Sequence, residues 1–434
     1  MATTTIKVEI IERKTIKPST PTPHNFRTFK FSLLDQFYPS FHIPLLLFYP
    51  AKGDTNHHLD SKQRSNVLKA SLSKTLSLYY PFAGQIKADN ISIECNDEGT
   101  MFVEARANCL LSDVLQNPSP QQLQKFLPIE LEFTKAEIGH LLFVQVNFFE
   151  CGGMAIGVCL SHKLADATTL ITFIKAWASI ALESDEVVVH PELFVGASVF
   201  PPVDYALPIV ESPFIQDKSC VCRRLVFSAE NIAAIRAKTA SESVQQPTRV
   251  EAITALLWKC ATNSSSSIQG TSSRSSFCFH AVNLRKRLSP PLSEYSVGNI
   301  LGGITAETEN TDIELPSLVI KLRKEFKELR VTTEVVKLLG DISKMMESLG
   351  KMGDGDFYIF SSWCRMPVYE ADFGWGKPIW VTLVNLKVPN VVVLVDTKEG
   401  DGIEAWVYLV EEEMSLFECN QELLSFASVN PSVI

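Results

Sequence analysis

The segment VCLSHKLADATTL, Val158–Leu170, joins a strand to a helix. Residues 141–160 predict two strands broken at 151–153, whereas the apolar residues that follow recur at helical spacing, at Leu170, Phe173, Ile174 and Trp177. His162 therefore lies just beyond a strand end, and Asp166 lies at the start of a helix. This succession of strand and helix predicts an α/β fold.

The pentapeptide HKLAD has two interpretations. A histidine at a strand end can project into a cleft and act as a general base near pH 7, with Asp166 holding the ring or pairing with a distant arginine. Alternatively, Asp166 caps the helix and His162 is structural. Ser161 and Cys159 lie at odd spacing from His162 and would face away from it along a strand. The local pattern thus favours a lone base over a nucleophile–histidine pair.

The composition indicates a globular protein and excludes several classes. The 434 residues are 46% hydrophobic and 21% charged, enough for two domains with separate cores. The net charge is −9 and no segment concentrates lysine and arginine, which excludes a broad nucleic-acid surface. No apolar stretch reaches ~18 residues and the N-terminus alternates apolar with charged residues. We therefore expect no membrane span, no secretory leader and a cytoplasmic location.

The cysteines and histidines do not form a metal-binding pattern. Ten cysteines are scattered along the chain without a CxxC pair, and there is no HExxH motif or Cys/His cluster. In a cytosolic protein such cysteines are most simply reduced, partly buried thiols. We therefore expect no bound metal.

A proline-rich stretch divides the chain. The prolines of residues 191–213 favour an extended crossover over a helix or a central strand. We therefore predict an N-terminal domain over 1–190, a linker over 191–213 and a C-terminal domain over 214–434.

Local patterns predict further elements in both halves. Alternation predicts a β-hairpin over 91–107 and another around the Gly-rich turn of 391–414. The Ser-rich stretch 263–276 predicts a surface loop. Because strands and helices are mixed in each half, both halves are predicted to be α/β domains.

Two further clusters are ambiguous by themselves. SSWCRMPVYEADFGWGKP, residues 361–378, contains DFG, but the chain lacks the glycine loop and HRD motif of a kinase. The two glycines around Trp375 instead favour a tight turn. In AVNLRKRLSPPLSEYSVGN, residues 281–299, Arg285 begins a basic triplet. Three interpretations of that triplet are open: a solvated strand end, a partner for a buried aspartate, or a contact to phosphate.

Together these clusters resemble the plant BAHD acyltransferase family. HKLAD at 162–166 matches its HxxxD motif, DFGWG at 372–376 matches in full, and their order and separation also match. The resemblance covers essentially the whole chain and includes YYPFAGQI, CNDEG, FFECGGMAIGVCLSHK and SVGN. It is strongest to the vinorine synthase-like members that acetylate alkaloids and related alcohols. Ala167 replaces the glycine that usually follows the motif, a change that can narrow the channel near the base.

The resemblance implies a chloramphenicol acetyltransferase-like fold. Two similar-sized α/β domains, each a mixed sheet with flanking helices, would enclose a solvent channel, and a segment near 365–390 would pack against the N-terminal domain. Acyl-CoA, with acetyl-CoA as first choice, would be the co-substrate, and a hydroxyl of a plant specialised metabolite the acceptor. The alternatives are an amine acceptor or an inactive member that only binds ligands. We expect a monomer without a bound cofactor.

The resemblance also implies roles for individual residues. His162 is the general base, and neither an acyl-enzyme nor a metal is needed. Asp166 pairs with Arg285 and holds the loop that carries the base. We assign the indole N–H of Trp375 as the oxyanion donor. The structural turn comprises Asp372, Phe373, Gly374 and Gly376, and the contacts to the pantetheine arm are Ser361 and Ser362.

Overall fold

The computed structural model describes most of the chain. It covers residues 6–51, 60–129, 139–183, 193–205, 207, 220–270, 274–309, 313–340, 355–384, 386 and 388–434. Two large mixed sheets with flanking helices, one formed mainly by each half, make up the architecture. Among the helices described, none is long and apolar enough to cross a membrane.

The elements follow one another in mixed order along the chain. The strands are β1 Val8–Ile16, β2 Thr28–Lys30, β3 His42–Tyr49, β4 Gln85–Ile86, β5 Ser92–Glu94, β6 Thr100–Ala107, β7 Leu142–Phe148, β8 Met154–Ser161, β9 Cys220–Phe227, β10 Ser275–Asn283, β11 Leu301–Glu309, β12 Asp356–Ser362, β13 Trp380–Thr382, β14 Val391–Asp396, β15 Ile403–Val410 and β16 Ser428–Val429. The labelled helices are α1 Leu33–Phe37, α2 Ser61–Leu78, α3 Leu111–Gln116, α4 Pro120–Leu123, α5 Ala167–Ala181, α6 Gly196–Val199, α7 Ala229–Thr239, α8 Arg249–Gln269, α9 Leu315–Glu328, α10 Glu411–Phe417 and α11 Gln421–Leu424. Residues 335–340 are also helical.

The first sheet places the HKLAD segment at one of its ends. Its six strands have the order β1-β6-β7-β8-β3-β13, and both β7 and β8 are buried throughout. Leu45 and Leu47 of β3 face α5, while Leu46 faces the opposite side with Gly157. A Cβ on Gly157 would collide with the carbonyl oxygen of Phe126, so glycine permits this close backbone approach. Layers on both faces explain why neither β7 nor β8 alternates between buried and exposed residues.

The second half contributes a strand to the first sheet. Strand β13 pairs antiparallel with β3, and the Tyr49 hydroxyl donates to the carbonyl of Ala371 (2.9 Å). Trp380 of β13 also lies beneath the guanidinium of Arg224, which is ion-paired with buried Glu404 (2.8 Å). The segment near 365–390 therefore links the two sheets through paired backbone and buried side chains.

The second sheet has seven strands in the order β11-β10-β12-β14-β15-β9-β16. Strands β10, β12 and β14 run parallel, and their other neighbours run antiparallel. Helices α7, α9 and α10 pack around the long α8 beside the sheet. This arrangement confirms the predicted α/β class with a mixed sheet and flanking helices in each half.

Only part of the predicted linker lies within the described residues. There α6 forms, and the backbone N–H of Leu33 bonds to the carbonyl of Phe200 (2.9 Å). The Gln36 side chain also bonds to both backbone groups of Val203 (2.9 and 3.2 Å). Residues 184–192 and 208–219 lie outside the described residues, so the domain boundaries stay predictions.

One predicted hairpin is confirmed and another is wrong. Strands β14 and β15 pair antiparallel as expected. In the predicted hairpin over 91–107, however, β5 pairs with β2 and β4, whereas β6 pairs with β1 and β7 in the first sheet. Between them Asp97 and Gly99 adopt φ of 58° and 95°, which redirects the chain from one sheet to the other. Alternation identifies a strand but not its partner.

The predicted Ser-rich loop is wrong over its first half, because α8 continues to Gln269. The hydroxyls of Ser264 and Ser267 donate to the carbonyls four residues earlier (3.0 and 2.8 Å). Ser265 instead bonds to the buried Asp356 carboxylate (2.9 Å). Serine hydroxyls satisfied within or beside a helix do not break it, although the composition is typical of a loop.

Candidate active site

The HKLAD segment is fixed at both ends. Beyond β8, the backbone N–H of His162 donates to the carbonyl of Phe41 (2.6 Å), and the N–H of Leu164 donates to Ser161 (3.1 Å). At the other end Asp166 is the N-cap of α5 and accepts the backbone N–H of Thr169 (2.9 Å). The base candidate therefore stands on a short turn between two buried elements.

Asp166 also forms a bidentate ion pair with Arg285. The guanidinium Nη1 and Nη2 donate to its two carboxylate oxygens (2.7 and 3.1 Å), and both side chains are at most 1% exposed. The remaining donors of Arg285 reach the carbonyls of Ser296 and Gly298 (2.8 and 3.2 Å for Nη2). Asp166 is thus both helix cap and arginine partner, two interpretations that the sequence presented as alternatives. Its carboxylate binds the second half of the chain instead of the histidine ring.

The ring of His162 has a specific partner. Its Nδ1 lies 2.9 Å from Oδ1 of Asn299, whose Nδ2 donates to the carbonyl of His162 (2.6 Å) and to a carboxylate oxygen of Asp35 (3.0 Å). Because both amide protons have acceptors, Oδ1 faces the ring and must accept a proton from Nδ1. The other ring nitrogen, Nε2, then carries a lone pair. Burial lowers the pKa of His162, so the ring is neutral at pH 7.

Aromatic rings hold the imidazole on its faces. Tyr38 stacks on it at 4.8 Å between centroids with 12° between planes, and Phe41 lies at 4.8 Å and 57°. The next residue, Lys163, is buried and donates to the carbonyl of Gln36 (3.0 Å). Burial lowers the pKa of Lys163 to about 8. Residues 32–42 therefore surround the turn that carries His162.

Sequence reasoning missed this segment and Asn299. Ser32 and Asp35 have the spacing of a capping box, which the structure forms at the start of α1, so the sequence did contain a helix-start signal. Nothing local connects that signal with position 299, which was noted only as part of SVGN. The contact between Asp35 and Asn299 joins residues 264 positions apart.

The DFGWG residues form a turn held by Asp372. Its Oδ1 accepts the backbone N–H groups of Gly374 and Gly376 (2.8 and 2.9 Å), and both glycines have positive φ, 105° and 97°. Phe373 packs edge-on against Trp177 of α5 (4.9 Å), and Trp375 packs against Tyr49 (6.4 Å). The turn therefore fixes two buried aromatic rings against α5 and β3.

The assignment of Trp375 as oxyanion donor is wrong. Its neighbour Tyr49 pairs with Met154 at one end of β3, whereas His42 pairs with Ser161, next to His162, at the other end. Seven residues of extended chain separate the two ends by about 23 Å. Because Trp375 packs at the Tyr49 end, its indole N–H is too far along the strand to contact an intermediate formed at His162.

We expect Asp372→Ala to destabilise the protein without a separate effect on chemistry. The turn would lose two hydrogen bonds to a charged acceptor, a cost of about 2–3 kcal/mol in the free energy of unfolding. Activity per folded molecule should stay unchanged because the turn is remote from His162. Urea denaturation and turnover assays, with Asp372→Asn as a control that can still accept both bonds, check this. A loss of turnover at unchanged stability would contradict the structural role.

The predicted pantetheine contacts lie in the second sheet. Ser361 and Ser362 end β12, both half-buried, and the Ser362 hydroxyl accepts the backbone N–H of Cys364 (3.4 Å). Where β3, α5 and the 365–390 segment meet, the side chains leave a narrow gap without room for a ligand. It is lined by Leu45, Leu47, Ile171, Ile174, Lys175, Pro367, Val368 and Ala371. Its walls are apolar apart from the lysine, and Leu45, Leu47 and Ala371 are buried core residues, so the gap reflects core packing.

The described residues show how cysteines and potential metal ligands are placed. All ten cysteines are free thiols. Within the described ranges, no three His, Cys, Asp or Glu side chains are grouped so that they could hold a metal ion. Ser161 is buried, and burial raises the pKa of the Cys159 thiol. Neither side chain beside the base is thus an exposed nucleophile.

Comparisons with known proteins place the chain in a family. A family model described as the transferase family matches residues 6–424. Akuammiline synthase 1 from Alstonia scholaris is 42% identical over 96% of this chain and 97% of its own. A limonoid 7-O-acetyltransferase from Citrus sinensis is 38% identical over 98% of both chains. The crystal structure of vinorine synthase matches with a TM-score of 0.87 and 36% identity over 99% of this chain and 100% of that one. The protein therefore belongs to this transferase family, the BAHD acyltransferases, and is an acyltransferase.

Proposed function

We propose that the protein transfers an acyl group, acetyl as first choice, from acyl-CoA to a hydroxyl of a plant specialised metabolite such as an alkaloid or terpenoid. The observation that carries the proposal is a neutral His162 whose Nδ1 is committed to Asn299 and whose Nε2 retains a lone pair. The similarity to an O-acetyltransferase of limonoids supports hydroxyl acceptors. The proposal includes action as a monomer in the cytoplasm, a compartment in which ten free thiols remain reduced.

In the proposed reaction, Nε2 of His162 takes the proton of the acceptor hydroxyl as its oxygen attacks the thioester carbonyl. The tetrahedral intermediate collapses, the C–S bond breaks, and the CoA thiolate recovers the proton from His162. General-base assistance of this kind contributes about 10²–10⁴-fold. No acyl-enzyme is required, because the two potential nucleophiles beside the base, Ser161 and Cys159, are buried.

Ser361 and Ser362 remain our candidates for contacts to the pantetheine arm of CoA. The donor and the acceptor would meet in a channel between the two sheets.

Calorimetry with acetyl-CoA, on wild type and on His162→Ala, tests the donor before the acceptor is known. We expect both proteins to bind with a Kd in the range of about 1 μM to 1 mM, which is normal for enzyme substrates. A screen of alkaloid and terpenoid alcohols and amines would follow, and mass spectrometry and NMR of the product would separate an ester from an amide. If neither short, long nor aromatic acyl-CoA binds, the protein is a binding protein and the proposal fails.

A further inference from the structure

Three side chains form a hydrogen-bonded chain that ends at the base. His162 Nδ1 donates to Asn299 Oδ1 (2.9 Å), and Asn299 Nδ2 donates to Asp35 Oδ1 (3.0 Å). His162 and Asp35 belong to the first half of the chain, whereas Asn299 precedes β11 of the second sheet. The base is therefore held by a group from the other half.

Asp35 determines which way the amide of Asn299 points. Its Oδ1 accepts both the backbone N–H (2.6 Å) and Nδ2 of Asn299, while its Oδ2 accepts the N–H and the hydroxyl of Ser32 (3.0 and 2.6 Å). Burial raises the pKa of Asp35, whereas the hydrogen bonds from Ser32 and Asn299 favour its ionised form, which only accepts hydrogen bonds. A reversed amide would place Oδ1 against this carboxylate and against the carbonyl of His162. The backbone carbonyl of His162 itself also favours a proton on the ring. Without the constraint from Asp35, Asn299 could present its NH₂ group to Nδ1, which would shift the ring proton toward Nε2.

The surrounding structure is built for this contact. Gly298 has φ of +129°, and a Cβ there would lie 3.4 Å from both carboxylate oxygens of Asp35. Only glycine therefore brings the backbone of Asn299 close to Asp35 without strain. Asp35 is 2% exposed, which is unusual for a carboxylate that only caps a five-residue helix.

Four charged or titratable groups besides Asp35 and His162 lie around this chain. Lys163 is buried, and the charge of Asp35 favours its protonated form. Asp166 and Arg285 neutralise each other on the other side of the turn. Tyr38, stacked on the ring, keeps its proton because burial raises its pKa. The charge of Asp35 is stabilised by the hydrogen bonds that its oxygens accept from Asn299 and Ser32.

We propose that Asp35 and Asn299 are positioning residues that hold His162 in the tautomer with the proton on Nδ1 and the lone pair on Nε2. The proposal rests on the proposed function, in which Nε2 is the base. It also means that the base is complete only when the two halves are docked, because neither half contains all three groups.

The test compares Asp35→Asn with Ser32→Ala. Asp35→Asn weakens the acceptor that faces Asn299, and we expect kcat to fall about 10- to 100-fold, within the range that a general base contributes. The KM for acyl-CoA should stay unchanged. Ser32→Ala removes a bond to the same carboxylate but to the oxygen that faces away from Asn299. It should lower the melting temperature and leave kcat at the wild-type value.

The histidine tautomer gives a readout that needs no turnover. In histidine-labelled protein, ¹⁵N and ¹³Cδ2 shifts report which ring nitrogen carries the proton, and His162→Ala assigns the signal among the eight histidines. We expect the Nδ1–H form in wild type and Ser32→Ala, and a growing Nε2–H form in Asp35→Asn and Asn299→Ala. An unchanged tautomer in both of the latter would overturn the proposal.

Moving the carboxylate from position 35 to position 299 provides a second, independent readout. In Asn299→Asp combined with Asp35→Asn, a carboxylate would accept Nδ1–H directly, so the acid limb of the kcat/KM profile should move to higher pH. If the contacts of Asn299 were purely structural, the acid limb would stay at the same pH. That result would count against the positioning role of Asp35 and Asn299. If His162→Ala retains turnover, the proposed function fails. The tautomer measurement still shows whether Asp35 and Asn299 position the ring.

Discussion

Replacing His162 by alanine is expected to lower kcat by about 10²–10⁴-fold while acyl-CoA binding stays intact. Because Nδ1 of the ring is bonded to Asn299, Nε2 supplies the lone pair that the proposed reaction needs. The backbone N–H of residue 162 still donates to Phe41, so the turn itself should persist. Steady-state turnover and calorimetry with acetyl-CoA measure the two effects separately.

His162→Gln is the matched control for lost packing. Glutamine can fill part of the space between Tyr38 and Phe41 and donate to Asn299, but it cannot accept a proton at neutral pH. Both variants should therefore show the same large loss of kcat. If His162→Gln keeps wild-type turnover, the general-base mechanism is refuted.

The general-base role of His162 also predicts the pH dependence of kcat/KM in the wild type. Burial lowers the pKa of His162 from its usual value of about 6.5, so the neutral, active form predominates at and above neutral pH. As pH falls through the lowered pKa the ring takes up a proton, and kcat/KM should drop tenfold per pH unit. The acid limb should therefore lie below pH 6.5, and the residual activity of the alanine variant should lack it.

The sequence predicted the parts of the site that depend on residues close together in the chain, and it missed contacts between residues far apart in the chain. The strand end at His162 and the helix start at Asp166 were predictable, because apolar spacing changes from strand to helix within a few residues. The bidentate pair with Arg285 followed only from the family resemblance, since 119 positions separate the partners. Asp35 and Asn299 were missed for the same reason, although each lies in a segment with a recognisable local signal.

The errors have physical causes of the same kind. Trp375 belongs to a true family motif, but a motif match carries no information about which end of β3 the turn covers. In the Ser-rich stretch, composition indicated a loop, whereas helical hydroxyl-to-carbonyl bonds kept Asn263–Gln269 within α8. The hairpin over 91–107 failed because strand pairing is decided by the packing of whole sheets.

Arg285→Ala is expected to give the largest loss of stability. The variant would leave the Asp166 carboxylate buried at 0% exposure without its counter-charge, a situation that costs about 3–5 kcal/mol in the free energy of unfolding. The carbonyls of Ser296 and Gly298 would lose their donor as well. Urea denaturation measures the effect, and a loss below about 1 kcal/mol, the scale of an exposed ion pair, would contradict it.

Variants of Asp166 separate the ion pair from the helix cap. Asp166→Asn can still accept the N–H of Thr169 but has no charge, whereas Asp166→Ala loses the cap as well, a further cost of about 1 kcal/mol. Combining Asp166→Ala with Arg285→Ala should recover part of the loss, because neither charge is then left alone in the interior. Turnover should fall in step with stability in all these variants, because Arg285 holds the loop that presents Asn299 to His162. If Asp166→Asn instead loses turnover at unchanged stability, the carboxylate acts in the chemistry and its structural assignment is wrong.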